Sequence, residues 1–308
     1  GTHRLHVAVE RAVADWMRVG GVRLFNSGYA ANTGVLSTLA GPGDVVFSDE
    51  LNHASIIDGC RLSRAEVVVY PHGDLRALEE VLARRGGHRR RLVVTESLFS
   101  MDGDLADLAA ISRLCAKHEA ALVVDEAHAV GVHGPEGRGL AADVAVTPDV
   151  LIGTFGKALG TYGAFAATTA PIAELLWNRA RSLVFSTALP PSIPAATLAA
   201  IEVVRSDEGR ARRRALAGHA RRLRELVPCL GGAAESAIAP LAIGDDREVM
   251  QTTARLLERG VFVQGIRPPT VPAGTARLRV SLCAGLSTQQ LETSGLVMND
   301  ATRQRGCT

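Results

Sequence analysis

From residue 4 to about residue 205 the chain alternates apolar runs of roughly four to six residues with amphipathic stretches of about ten to fifteen. A run that is apolar throughout needs cover on both faces, and an amphipathic stretch has one apolar face to give. Their repetition predicts βα units and an α/β fold built on a mainly parallel sheet. Strands are expected over 22–25, 45–47, 66–70, 92–95, 121–124, 150–153 and 164–168. Helices are expected over 5–19, 30–40, 53–62, 75–83, 105–118, 172–181 and 192–205, the last entered through Pro190, Pro191 and Pro194. Beyond this the pattern changes. A long Arg-rich helix is expected over 208–227, followed by a break at Leu230-Gly231-Gly232. A smaller α+β stretch follows, with strands over 237–243, 261–264 and 276–282, a helix over 248–259 and a weak helix from Ser287. This divides the chain into a large domain, 1–207, and a small C-terminal domain, 208–308. The tail 299–308 is polar and non-periodic and is expected to be frayed.

Charge and composition exclude several classes of function. The net charge of +2 over 308 residues gives no bulk field toward nucleic acid or an anionic membrane. The arginine runs 84–91 and 210–224 lack interleaved aromatics and read as solvated surface. No apolar run reaches the length of about 18 residues that a membrane span needs, and the first residues carry no signal-like apolar core. Cys60, Cys115, Cys229, Cys283 and Cys307 are scattered and form no Cys-x-x-Cys, which speaks for a reducing compartment and against a disulfide framework or zinc site. A cytoplasmic location is therefore expected.

Lysine usage singles out one residue. Lys117 and Lys157 are the two lysines among 34 basic residues. Lys117 closes an ordinary helix, whereas Lys157 lies in Gly153-Thr154-Phe155-Gly156-Lys157-Ala158-Leu159-Gly160 after an apolar strand. Arginine cannot stand in where a deprotonated amine must attack a carbonyl, because its guanidinium stays protonated. A desolvated lysine can form a Schiff base, and small neighbours let a ligand approach; the plain alternative is a lysine that caps a turn. A P-loop is excluded, since Leu151 stands where its first glycine belongs and Ala158 follows the lysine.

Asp125 ends the apolar run of Ala121-Leu122-Val123-Val124-Asp125-Glu126-Ala127-His128 and so points into the crevice where open α/β sheets bind ligands. It could hold a protonated ring nitrogen and His128 a neighbouring oxygen, or Asp125 could only cap its loop. A metal set of Asp125, His128 and His133 has no further ligand cluster behind it. Asn26-Ser27-Gly28-Tyr29-Ala30-Ala31-Asn32 follows a strand and opens a helix, where amides and dipole favour a phosphate or where Ser27 simply caps. Tyr29 and His53 offer flat groups to lie against a ring. An amine, a carboxylate, a histidine and a phosphate-binding helix start on one sheet match the needs of pyridoxal 5′-phosphate.

At these residues the sequence resembles the α-oxoamine synthases, fold-type I enzymes that use pyridoxal phosphate. The resemblance runs from Thr2 to about Leu286. It rests on Ser27-Gly28-Tyr29-Ala30-Ala31-Asn32, Asn52-His53-Ala54-Ser55, Glu96-Ser97-Leu98-Phe99-Ser100-Met101-Asp102-Gly103-Asp104, Asp125-Glu126-Ala127-His128, Thr154-Phe155-Gly156-Lys157 and Phe185-Ser186-Thr187-Ala188-Leu189-Pro190-Pro191. It implies that Lys157 holds the cofactor as a Schiff base and later takes the α-proton of the amino acid, while Asp125 keeps the ring nitrogen protonated. His128 and Ser100 would bond the ring hydroxyl, and His53 would stack on the ring and face the substrate. The amides of Gly28 and Tyr29, beside Ser27 and with Thr154, would hold the phosphate. Ser186 and Thr187 would reach the phosphate of a second subunit, implying a homodimer with shared sites. Arg279 would clamp the substrate carboxylate, or be an edge-strand surface charge, and Thr270 would line the acyl site.

Within the family, the segment from Ile266-Arg267-Pro268-Pro269-Thr270 to Ala276-Arg277-Leu278-Arg279 most resembles members of biotin biosynthesis that join L-alanine to pimeloyl-CoA or pimeloyl-acyl carrier protein. Relatives that use glycine and another acyl-CoA share most other motifs. The family pattern also places an N-terminal segment of several tens of residues before the point where this sequence starts. On that pattern the sequence reads as truncated, and an inactive fragment is the alternative.

Overall fold

The computed structural model of the protein describes residues 2–302. The chain forms two compact units: one runs to Leu98 and resumes over Ala106–Arg210, and the other comprises Phe99–Leu105 and the chain from Ala211 onward. The first unit holds strands β1 (Gly21–Phe25), β2 (Val45–Asp49), β3 (Glu66–Tyr70), β4 (Arg91–Glu96), β5 (Ala121–Asp125), β6 (Val150–Thr154) and β7 (Ala164–Thr168). They form one sheet in the order β1-β7-β6-β5-β4-β2-β3. From β3 through β2, β4 and β5 to β6 all pairings are parallel, so the carboxyl ends of five strands share one edge. β7 runs antiparallel to both β6 and β1. The mainly parallel reading holds, with β7 as the reversal, because the short Lys157 loop returns the chain directly instead of crossing over through a helix.

β2, β6 and β7 are buried at every residue, which is why their sequences are apolar or small without alternation. β3 lies at the sheet edge and leaves Val67 and Val69 exposed. Between β6 and β7, Phe155 packs on Phe165 with ring centroids 5.2 Å apart. A side chain at Gly153 would run into the Phe165 ring, so only glycine fits there. Short polar caps set the helix starts facing the site. Ser27 accepts from the Ala30 amide ahead of helix Gly28–Leu39, and His53 accepts from Ser55 ahead of helix Ala54–Ser63. Asp107 caps Leu108–Lys117, so that helix begins later than the apolar pattern from 105 suggests.

The second unit carries β8 (Ile238–Gly244), β9 (Gln264–Ile266) and β10 (Ala276–Ser281) in the antiparallel order β8-β10-β9. Helices Asp246–Glu258 and Thr288–Thr302, with the latter part of Asp207–Leu226, enclose a core that includes Leu223, Leu241, Val249, Leu256, Leu278 and Met298. The strand expected over 261–264 is displaced. Val261 and Val263 are buried, but Val261 closes the turn at the helix end through the Leu256 carbonyl, and the ladder to β10 starts only at Gln264. Helix Thr288–Thr302 also corrects the frayed tail as far as Thr302, which is buried and donates to the Met298 carbonyl; residues 303–308 lie outside the described part. Phe99–Leu105 joins this unit through Gly103, at φ +66°, whose carbonyl accepts from the Ala233 amide, and through an ion pair of Asp102 with Arg277. No helix among the described residues is long and apolar enough to cross a membrane.

Candidate active site

The parallel strands deliver chemistry at their carboxyl ends, as open α/β sheets do. β5 ends on Asp125, which is 7% exposed. One of its oxygens accepts from the Ala127 amide at 2.8 Å and the other from Asn32 Nδ2 at 2.7 Å. In the turn after β5, His128 places Nε2 2.9 Å from Lys157 Nζ, which extends from the loop after β6. An ammonium has only donors, so a protonated Lys157 makes Nε2 the acceptor and leaves the His128 ring proton on Nδ1. Lys157 is exposed, which corrects the desolvated lysine expected from its glycine-rich setting: the loop of small residues carries the side chain outward rather than folding over it.

β4 brings a residue that the sequence reading quoted but gave no role. Glu96 lies beside Asp125 in register, is 4% exposed, and accepts from the His53 amide at 2.7 Å. Burial, reinforced by the neighbouring Asp125 carboxylate, pushes its carboxyl up to about 8, against the pull of the His53 amide and Lys157. Behind Asp125, the fully buried Glu126 takes donors from Ser97 Oγ at 2.9 Å and from the Leu140 and Ala141 amides at 2.9 and 2.7 Å. Burial raises this carboxyl to about 7 in spite of those donors.

Gly28 opens its helix with Thr154 close by; a Cβ on Gly28 would stand 3.0 Å from Thr154 Cγ2. The amides of the first helical turn have no acceptor within the helix and suit an anion. Ser27 Oγ is engaged as the cap. The Tyr29 hydroxyl donates to Asp58 at 2.6 Å, which ties the half-exposed ring there. Ser186 and Thr187 are exposed, and Asn26 Nδ2 donates to Ser186 Oγ and to the Thr187 carbonyl, both at 2.7 Å. His53 is exposed at its helix start, with Nδ1 2.7 Å from Ser55 Oγ.

Ser100, Thr270 and Arg279 belong to the second unit. There Arg279 Nε donates to the Ser100 carbonyl at 2.5 Å and Nη1 to Ser281 Oγ at 2.9 Å. Burial holds the Arg279 guanidinium below its usual value. Thr270 is exposed in a turn closed by its amide on the Arg267 carbonyl. The residues the sequence reading left without a role are therefore Asn26, Asn32, Ser55, Glu96 and Glu126. Asn32 lies one helical turn beyond Gly28 in the sequence, but nothing there pairs it with Asp125.

These groups fit pyridoxal phosphate. Asp125 is a buried carboxylate whose oxygens are oriented by N–H donors, an amine stands beside an imidazole, and Gly28 leaves room at a helix N-terminus beside Thr154.

Comparison with known proteins points the same way. The family described as aminotransferase class I and II matches residues 1–294. The 8-amino-7-oxononanoate synthase of Geobacter sulfurreducens is 50% identical over 99% of this chain and 80% of its own length. That of Citrifermentans bemidjiense is 46% identical with the same coverage. Among solved structures, serine palmitoyltransferase of S. paucimobilis with a bound PLP–myriocin aldimine superposes with a TM-score of 0.95 at 35% identity, covering 100% of this chain and 79% of that one. An 8-amino-7-oxononanoate synthase from Francisella tularensis gives 0.85 at 27% identity, covering 99% and 89%.

Proposed function

The chain belongs to the aminotransferase class I and II family, and on that premise we propose that it condenses L-alanine with a pimeloyl thioester, releasing carbon dioxide and the free thiol and giving 8-amino-7-oxononanoate for biotin biosynthesis. Its cofactor is pyridoxal 5′-phosphate. The observation that carries the reading is Lys157 Nζ against His128 Nε2 at the sheet edge that also presents Asp125. Serine palmitoyltransferase matches the backbone as well, but at 35% identity its sequence is further from this chain than the 8-amino-7-oxononanoate synthases of Geobacter sulfurreducens and Citrifermentans bemidjiense, at 50% and 46%.

When bound, pyridoxal phosphate supplies an electron-poor ring that accepts the electron pair left on the α-carbon. This chain's residues do the rest. Lys157 Nζ binds the cofactor and later takes the α-proton, with His128 Nε2 beside it to orient the amine. The Asp125 carboxylate, oriented by Asn32 and Ala127, faces the ring nitrogen. Gly28, Tyr29 and Thr154 hold the phosphate. His53 covers the ring, and Ser100 bonds the ring hydroxyl. Arg279, oriented by the Ser100 carbonyl, takes the substrate carboxylate, and Thr270 lines the acyl site. The division into a cofactor domain over 1–207 and a small domain over 208–308 is kept, except that Phe99–Leu105 goes with the small domain and the boundary moves to 210/211.

The pimeloyl group rides on coenzyme A or an acyl carrier protein. The chain works as a homodimer in which Ser186 and Thr187 reach the partner's phosphate; exposed Val184 and Phe185 beside them supply apolar surface for such pairing. Among the described residues Cys60, Cys115, Cys229 and Cys283 form no disulfide, which favours a cytoplasmic location.

Visible absorption after adding pyridoxal phosphate tests the reading, beside a Lys157→Ala control. A band that the control lacks, followed by product from alanine with pimeloyl-CoA and none from glycine with acetyl-CoA, is expected. The Lys157→Ala protein should lose about a hundredfold to ten-thousandfold in rate. No band, or the glycine product alone, overturns the proposal.

A further inference from the structure

Asp125 and His53 approach the site from different strands, one at the end of β5 and the other after β2, yet one continuous hydrogen-bonded path joins them. Asn32 Nδ2 donates to Asp125 Oδ2 at 2.7 Å and to Ser55 Oγ at 2.9 Å, and Ser55 Oγ lies 2.7 Å from His53 Nδ1. Both linking residues are 1% exposed.

The direction of every bond in this path follows from donor and acceptor inventory. A carboxylate accepts, so the Asn32 atom facing Asp125 is the amide nitrogen; reversing the amide would set two acceptors against each other. The second hydrogen on that nitrogen goes to Ser55 Oγ. Ser55 Oγ has a second lone pair, so its own proton goes to His53 Nδ1 only because that nitrogen is an acceptor. That nitrogen also faces the Ser55 backbone N–H at 3.2 Å, so two donors converge on it and neither leaves room for a proton there. The His53 proton is on Nε2. The His53 backbone amide also donates to Glu96 Oε1.

We propose that Asn32 and Ser55 are positioning residues for the reaction: a buried relay that orients the Asp125 carboxylate and fixes His53 as the tautomer carrying its proton on Nε2. The proposal rests on the reading of Asp125 and His53 as cofactor contacts. The relay makes one unit of two groups that must face the same ring, so loosening either link disturbs both. Asn32 Oδ1, buried without a partner, fits this use of the side chain. The amide is placed for its two donors, at the cost of leaving its acceptor unused.

The test is the protonation pattern of the His53 ring nitrogens, read by NMR of the full chain labelled with 15N-histidine, with His53→Gln assigning the signal. The protein is measured with and without pyridoxal phosphate. In the unsubstituted protein Nε2 carries the proton and Nδ1 does not. Ser55→Ala removes one of the two donors, and the Nδ1-protonated form becomes detectable, with kcat down about 3- to 10-fold, the size of one net hydrogen bond. Asn32→Ala gives a similar loss, and the double variant loses no more than the larger single one, since both act through one path. The cofactor's visible absorption persists in Ser55→Ala.

A proton on His53 Nδ1 in the unsubstituted protein overturns the relay, and that measurement needs no variant to fold. An unchanged tautomer in Ser55→Ala, or fully additive losses in the double variant, overturns it equally. If the unsubstituted protein gives no cofactor band while its histidine signal stands as expected, the functional proposal fails and the relay geometry does not.

Discussion

Replacing Glu96 by glutamine should stabilise the first unit at neutral pH and leave it almost unchanged in mild acid. The folded chain raises this carboxyl from an ordinary 4.5 to about 8, so the folded state keeps the proton over a range where the unfolded chain has released it. Here the folded value lies above the unfolded one, and unfolding releases a proton. Stability contributed by the group is complete below the unfolded value and falls as pH rises toward the folded one. The slope reaches about 1.4 kcal/mol per pH unit, giving about 3 kcal/mol between pH 5 and pH 7.5. Glutamine matches the protonated side chain in shape, keeps an oxygen to accept from the His53 amide, and has no proton to lose. The stability of Glu96→Gln relative to the unsubstituted protein should therefore grow by about 3 kcal/mol across that range. Glu126, raised to about 7, titrates in the same range in both proteins and cancels in the difference. Urea unfolding at a series of pH values measures it. Fluorescence is the probe, because both tryptophans, Trp16 and Trp177, lie in the first unit. Parallel pH profiles would refute the reasoning. They would mean that the attraction of Lys157 and the His53 amide outweighs desolvation and that Glu96 is ionised in the folded chain.

Two further outcomes probe the second unit. Arg279→Lys keeps the charge but loses the planar fork that Nε anchors on the Ser100 carbonyl; steady-state kinetics should show KM for alanine up about 10- to 100-fold, whereas an unchanged KM places the substrate carboxylate elsewhere. Arg224 is half-buried and donates to the carbonyls of Ala220, Gly231, Ala234, Ser236 and Ile238, while Arg222 pairs on the surface with Glu292 and Glu225. Urea unfolding followed by circular dichroism should show Arg224→Ala costing about 3 kcal/mol and Arg222→Ala clearly less, and equal costs would contradict this contrast.

Much of the site was legible because its signals are local. A buried parallel strand is apolar to its last residue, so the polar residue that ends it stands out; Asp125 and the loop carrying Lys157 were found this way. The near absence of lysine then made Lys157 conspicuous. Boundaries were less legible where a side-chain cap competes with apolar periodicity, as at Asp107, or where buried valines sit outside a ladder, as at Val261 and Val263.

Which segments are buried strands, and which strand ends carry an amine, a carboxylate and an imidazole, can be read along the chain. Those properties depend on residue type and on periods of two and 3.6, which any short window contains. Partners came only with the fold. Asn32 meets Asp125, which is 93 residues away, because the strand order carries the helix after β1 to the end of β5. Glu96 gains its raised proton affinity because the sheet buries it away from water, with Asp125 beside it on β5 adding to the effect. Phe99–Leu105 leaves its neighbours in sequence for the second unit because Gly103 and Asp102 find their bonds there. Hydrogen bonds and desolvation act over a few ångströms in space, and strand order, not distance along the chain, sets which residues come that close.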